Sequence, residues 1–187
     1  ASLPARLFGT DLTGRRVVDL CAAPGGKTAQ LAAMRADVLA VDRSAKRLQR
    51  LKENMKRLRL DDRVTTEVAD AGVLRLRSPA QFILLDAPCS ATGTIRRNPD
   101  VMWMKTESDL VSLIDLQSRL LEQALRMLEI GGVLVYCTCS LQKDEGENQI
   151  EQLLARGAGH ARVERIPIHA SEIGHIPNAV TPRGDVR

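Results

Sequence analysis

Short runs of consecutive apolar residues alternate along the chain with longer stretches in which apolar positions recur every three or four residues. The runs predict strands buried on both faces, and the stretches predict the helices that cover them. Five runs predict strands over residues 16–20, 38–42, 64–68, 82–86 and 133–139, with a weaker sixth over 162–166. Helical spacing fills 27–34, 45–58, 108–129 and 145–155; in the second, Leu48, Leu51, Met55 and Leu58 form one stripe. Strands alternating with helices predict an α/β fold, a mostly parallel sheet with helices on both faces. Gly131 and Gly132 are expected to end the long helix, where a left-handed cap residue is wanted. Asp144 followed by Glu147 resembles a capping box at the start of the next helix. Beyond Ile166, prolines at 167, 177 and 182 break the periodicity and predict loop.

Composition narrows the picture. With 187 residues, 44% hydrophobic and 27% charged, the chain suits one packed core, and a single domain over 1–187 is expected. Neither an apolar run of membrane-spanning length nor a leader pattern occurs, so a cytoplasmic protein is expected. Cys21, Cys89, Cys137 and Cys139 then stay as thiols. Their spacing, with His160, His169 and His175 gathered near the end, does not suit a zinc site, and no metal is expected. A net charge of +4 fits a polyanionic partner. Aromatic residues make up 2% of the chain, too few for a base-stacking platform, so any RNA grip must be electrostatic and pocket-based.

The turn between the first strand and first helix reads Asp19-Leu-Cys-Ala-Ala-Pro-Gly-Gly-Lys-Thr28. Ligands of open α/β sheets bind at such carboxyl ends of strands. Small residues let a backbone approach a ligand closely, and a helix start offers N–H groups to a carboxylate. The spacing matches neither the dinucleotide fingerprint nor the Walker phosphate loop. Asp42 ends the second strand, where an acid can accept from both hydroxyls of a ribose; Asp70 follows the third, and Asp86 ends the fourth. Each alone is more often a turn residue or a helix cap.

Asp86-Ala-Pro-Cys-Ser90 follows the fourth strand and Tyr136-Cys-Thr-Cys-Ser140 closes the fifth, so neighbouring strands would bring two thiols to one cleft. Such thiols suit covalent catalysis on a pyrimidine. Carbon 5 of cytosine is too weakly nucleophilic to accept a methyl group until a thiolate has added to carbon 6. An acid such as Asp86, assisted by Lys27, could stabilise the charge that develops on the base. Spacing leaves open which thiol attacks: Cys89 follows a proline as the attacking cysteine of DNA cytosine methyltransferases does, and Cys139 ends its strand. Cys137, inside an apolar strand, reads as a buried small residue.

These motifs, together with Thr92-Gly-Thr-Ile-Arg-Arg-Asn-Pro-Asp100, resemble the Sun (Fmu) family of RNA cytosine-5 methyltransferases along the whole chain. The resemblance implies a Rossmann-like class I fold that takes S-adenosyl-L-methionine, with Cys139 as nucleophile and Cys89 serving product release. It places the cofactor against Cys21, Ala22, Ala23, Pro24, Gly25, Gly26 and Lys27, then Asp42, Asp70 and Asp86. Asn98 stands where the family usually has His. The family's last sheet strand and a preceding RNA-binding domain are expected to be missing, a truncation at both ends.

Arg43, Lys46, Arg47, Arg50, Lys52, Lys56, Arg57 and Arg59 crowd one helix and read as a solvated face. Arg96 and Arg97, on the loop beyond Cys89, are the better candidates for phosphate contact. A flipped cytosine is expected, in ribosomal RNA first and transfer RNA second, with the enzyme acting as a monomer. A nicotinamide-dependent oxidoreductase would leave both strand-end thiols without a use. An exocyclic-amine methyltransferase would carry an acid-Pro-Pro-aromatic motif in place of Asp86-Ala-Pro-Cys89. A non-catalytic RNA- or cofactor-binding fragment is the remaining alternative.

Overall fold

Parallel pairing joins five strands in the computed structural model, which describes residues 3–157, 162–174, 179–181 and 184–186. They are β1 (Arg16–Leu20), β2 (Asp37–Asp42), β3 (Val64–Val68), β4 (Ala80–Asp86) and β5 (Leu128–Cys137), in the order β3-β2-β1-β4-β5. Helices α1 (Leu3–Arg6), α2 (Gly26–Ala33), α3 (Ala45–Leu58), α4 (Glu107–Met127) and α5 (Glu147–Arg156) connect or flank them. The strand order reverses beside β1, whose neighbours are β2 and β4, so their carboxyl ends open a crevice there. None of the described helices is long and apolar enough to cross a membrane.

Register decides what faces the crevice. Val17 pairs with both Val38 and Phe82, Leu84 with Val135, and Asp86 with Cys137. Because side chains alternate along a strand, Asp19, Asp42, Asp86 and Cys137 therefore share one sheet face. Lower on that face, Val17, Val38, Leu84 and Val135 pack with Leu31 and Ala32 of α2. Ala40 packs with Leu48, Leu51 and Met55 of α3. The opposite face is covered as well, since Val18, Leu20, Val41, Ile83 and Leu85 are buried. Asp19, Asp42 and Asp86 end these apolar runs at one edge.

The residues form two compact units, Ala1–Ala87 with Gln123–Cys137, and Pro88–Glu122 with Thr138–Arg187. The first holds the whole sheet. In the second, Gln149 of α5 donates to the carbonyl of Ile114 on α4 at 2.9 Å, and Arg156 to Ser118 at 3.3 Å.

Four expectations are corrected. Strand β5 spans Leu128–Cys137, so Cys139 lies two residues beyond the strand it was expected to end. The long helix ends at Met127, and Gly131 and Gly132 lie inside β5 instead of capping it. Ala80 pairs with Leu128 but Phe82 with Val133, so the extra β5 residues bulge, and Gly131 takes the left-handed φ of 81° that this bend needs. Asp144 and Glu147 make no capping box: α5 starts after Gly146, and the Asp144 carboxylate accepts from Asn148 instead. Residues 162–166 form no strand. Arg165 is held by ion pairs to Glu151 and Asp185, and Ile166 is exposed. Of the tail's turn prolines, 177 and 182 lie outside the described residues, as do His160 and His175.

Candidate active site

The crevice beside β1 is lined by Asp19, Ala22, Pro24, Gly26, Lys27, Gln30 and Asp86. The chain leaves β1 through Cys21 at a φ of 59° and reaches α2 through Gly25 at a φ of 99°. A methyl at Gly25 would sit 2.7 Å from Leu51 Cγ, so strain and overpacking both oppose any side chain. Gly25→Ala is expected to destabilise by about 2–4 kcal/mol. A thermal melt checks this, with a fall of roughly 5–10 °C expected; an unchanged midpoint would show that the turn relaxes freely.

Asp19 is fully buried, and its Oδ2 accepts from Thr28 Oγ1 at 2.6 Å. Its Oδ1, and likewise Gln30 Oε1, is buried with no partner among the described residues. Burial pushes the Asp19 carboxyl up to about 7, against the Thr28 hydrogen bond and with the help of the nearby Asp86 charge. Two unmet acceptors on one pocket wall suit a cationic donor such as an ammonium group.

In the same lining, Lys27 Nζ donates to Asp86 Oδ2 at 2.6 Å, and Cys137 Sγ donates to Asp86 Oδ1 at 3.4 Å. Burial would lower the Lys27 ammonium, but its bond to Asp86 and the surrounding acids outweigh that and raise it, so the lysine stays charged. Burial drives Cys21 up to about 12, and drives Cys137 well above an ordinary thiol with Asp86 adding to the effect. Neither makes a nucleophile.

Cys89 and Cys139 do come together: their Sγ atoms are 3.3 Å apart. The Gly93 N–H donates to the Cys139 carbonyl at 2.9 Å, and the Leu141 N–H to Thr92 Oγ1 at 2.9 Å, tying the two loops. A methyl at Gly93 would lie 2.7 Å from that carbonyl oxygen, so the close approach requires glycine. The Cys89 thiol is pushed up, first by its hydrogen bond to Cys139 and then by burial, so Cys89 keeps its proton.

Other expected residues are placed differently. The buried Asp42 carboxylate accepts from the N–H groups of Ala23 and Ser44 and pairs with Arg47, whose guanidinium also donates to the Ala23 carbonyl. It braces the β1–α2 turn, and Arg47 covers its remaining edge. Asp70 is exposed and accepts from the Gly72 N–H at 2.8 Å within its own turn, away from the pocket lining. Arg96 and Arg97 are exposed. The sequence reading missed Gln30, and it quoted Asp19 only as part of the motif. An acid in the penultimate position of a strand, just before a small-residue turn, is the signal that could have flagged Asp19; nothing local flags Gln30.

A family model described as 16S rRNA methyltransferase RsmB/F matches residues 11–182. Ribosomal RNA small subunit methyltransferase B of Yersinia enterocolitica is 43% identical over 175 residues, covering 88% of this chain and 39% of that protein. The protein of the same description from Serratia proteamaculans is 45% identical over 161 residues, covering 81% and 36%. Among solved structures, NSun6 from Pyrococcus horikoshii with SFG is 33% identical at a TM-score of 0.75, covering 83% of this chain and 40% of that one. The chain thus spans about two fifths of the length of the curated relatives it matches (39% and 36%). Its parallel sheet is that of the Rossmann-like class I methyltransferases. The resemblance carried by the Pro-Gly-Gly turn and the two cysteine motifs is therefore one of descent, and the chain belongs to the RsmB/F family of 16S rRNA methyltransferases.

Proposed function

We propose that this chain transfers a methyl group from S-adenosyl-L-methionine to carbon 5 of a cytosine in RNA, ribosomal RNA first, through a covalent bond between Cys139 and carbon 6. The observation that carries the reading is the 3.3 Å thiol pair in which Cys89 retains its proton. Two cysteines so placed serve one purpose each, since one must add to the base and the other must assist its departure.

Asp19 and Gln30 would hold the cofactor's ammonium, and the N–H groups at the start of α2 its carboxylate, with Ala22, Pro24 and Gly26 allowing close approach. Asp42, through its hold on Ala23 and Ser44, would set the shape of that turn; a ribose reaching its carboxylate must displace Arg47. The bound cofactor supplies an electrophilic methyl group. The Cys139 thiolate adds to carbon 6, forming the S–C bond as the ring's π pair shifts toward carbon 5. Asp86, paired with Lys27, accepts from the exocyclic amine and orients the base, and the Lys27 ammonium stabilises that charge. After methylation a base removes the carbon 5 proton, the C–H pair restores the double bond, and the S–C bond breaks. Cys89 gives its proton to the departing sulfur. Arg96 and Arg97 hold phosphates, no metal takes part, and a single copy acts in the cytoplasm.

Asp19 gives the reading a pH signature. An acid whose folded pKa is raised is stabilised while protonated, and that contribution is lost as pH rises through about 7. A cation in the pocket reverses the preference and favours the carboxylate. Cofactor binding at about pH 6 is therefore expected to release about one proton, and at about pH 8 none. Calorimetry in buffers of different ionisation enthalpy measures this, and equal release at both values would remove Asp19 from the site.

The reading itself is tested by incubating the protein with methyl-labelled S-adenosylmethionine and 16S rRNA lacking the modification, then digesting to nucleosides. Label in 5-methylcytidine is expected. Label on an exocyclic nitrogen would overturn the chemistry, and label in transfer RNA alone would overturn the substrate.

A further inference from the structure

Behind the thiol pair lies a carboxylate that no step of the proposed reaction uses. Glu145 ends the short 3-10 turn Lys143–Glu145 and is fully buried. Its Oε1 accepts from the backbone N–H of Ser90 at 2.8 Å and from Gln117 Nε2 at 3.0 Å, while Oε2 accepts from the Ser90 hydroxyl. Gln117, itself fully buried on α4, also donates to the Pro88 carbonyl at 2.8 Å. Ser140 Oγ lies 3.0 Å from Ser90 Oγ and 3.2 Å from Thr92 Oγ1. Pro88 and Ser90 flank Cys89, and Ser140 follows Cys139. Pro88, Ser90 and Ser140, three of the four residues bordering the two sulfurs, are thus tied to a single carboxylate, directly or through one intervening side chain.

We infer that Glu145 is the positioning residue of the thiol pair: its carboxylate locks the Cys89 loop through Ser90 and Gln117, and the Cys139 loop through Ser140, at the separation needed for proton exchange between the sulfurs. Burial alone would push the Glu145 carboxyl up, but hydrogen bonds from Ser140, Ser90 and Gln117 hold it below the usual carboxylate range, so the acceptor stays charged. A charged acceptor in a buried network is strong, and its removal leaves the Ser90 N–H without a partner. The consequence for turnover rests on the cytosine-5 reading; the consequence for thiol spacing does not.

Phenylarsine oxide tests the spacing directly, because it bridges two thiols only when they stand close together. Two S–H bonds break, two As–S bonds form, and the oxygen leaves as water with no change of oxidation state. Glu145→Gln keeps the shape but replaces one acceptor oxygen by a donor. It is expected to weaken arsenical capture about tenfold, while single-site alkylation of Cys139 by iodoacetamide changes less than about twofold and Cys137 stays protected. Should that variant lose Cys137 protection through misfolding, Ser90→Ala carries the test, with capture expected to weaken about threefold. In a folded pair, the double variant is expected to capture no more weakly than Glu145→Gln alone, since both act through one network. Wild-type capture by either folded variant, or losses that multiply, would overturn the inference. In the methylation assay kcat is expected to fall with cofactor affinity unchanged. If wild-type protein captures the arsenical yet methylates no cytosine, the cytosine-5 reading fails and the spacing inference stands.

Discussion

Alanine in place of Cys139 is expected to lower methyl transfer by about 10³–10⁴-fold, a loss of roughly 4–6 kcal/mol of transition-state stabilisation. The size follows from what the thiolate does. Without addition at carbon 6 the ring offers no carbon nucleophile, and the Lys27 ammonium has no developing charge to stabilise. Burial and neighbouring acids hold Cys21 and Cys137 protonated, so neither substitutes. Cys89 stands 3.3 Å away but is itself held as a thiol by its partner. Removing Cys139 also removes the hydrogen bond that raises Cys89, so a small residual rate through Cys89 is the expected floor. Cofactor affinity should stay within about twofold, because the unmet acceptors that would hold the ammonium are Asp19 and Gln30. A variant retaining more than about a tenth of wild-type activity would remove Cys139 from the nucleophile's place.

Cys89→Ala is expected to fail at the other end of the reaction. The first methyl transfer proceeds within about tenfold of the wild-type rate, but the S–C bond then lacks the proton that its sulfur needs on leaving. Multiple turnover falls about 10²–10³-fold. Protein joined to methylated RNA accumulates and survives a denaturing gel. Quench-flow separates the two phases: a burst near one equivalent followed by a slow rate is the expected trace. If Cys89→Ala instead loses the burst and forms no joined species, the two thiols exchange roles, with Cys89 attacking.

The strands could be read because burial on both faces leaves an unbroken apolar run, as in Val38 through Val41 and Phe82 through Leu85. Helix α3 could be read to the residue from its stripe, of which Leu48, Leu51 and Met55 are buried while Leu58 is 43% exposed. The glycines of β5 misled because a left-handed residue serves a bulge as well as a helix end, and only pairing with β4 distinguishes the two. Residues 162–166 misled because a short segment with β-branched Val163 and Ile166 forms a strand only where a neighbour supplies the ladder.

At the site, the motifs named the pocket's turn and both partnered thiols, since each stands beside a recognisable turn or strand end. For Asp42 and Asp70 the motifs indicate position and not engagement. A strand-end acid looks the same in sequence whether it awaits a ligand or is engaged by Ser44, Arg47 or its own turn. Glu145 was out of reach for another reason. Its partners Ser90 and Gln117 lie 55 and 28 positions away, and no local pattern announces a hydrogen bond across such distances.

The bond between Cys139 and carbon 6 of a target cytosine carries the proposed reaction. Its most direct measurement incubates the protein with S-adenosylmethionine and RNA carrying 5-fluorocytosine, which has no carbon 5 proton to lose, and maps the joined peptide by mass spectrometry. A methylated adduct on Cys139 is the expected result. An adduct on Cys89, or none with RNA that the protein otherwise methylates, would contradict the account.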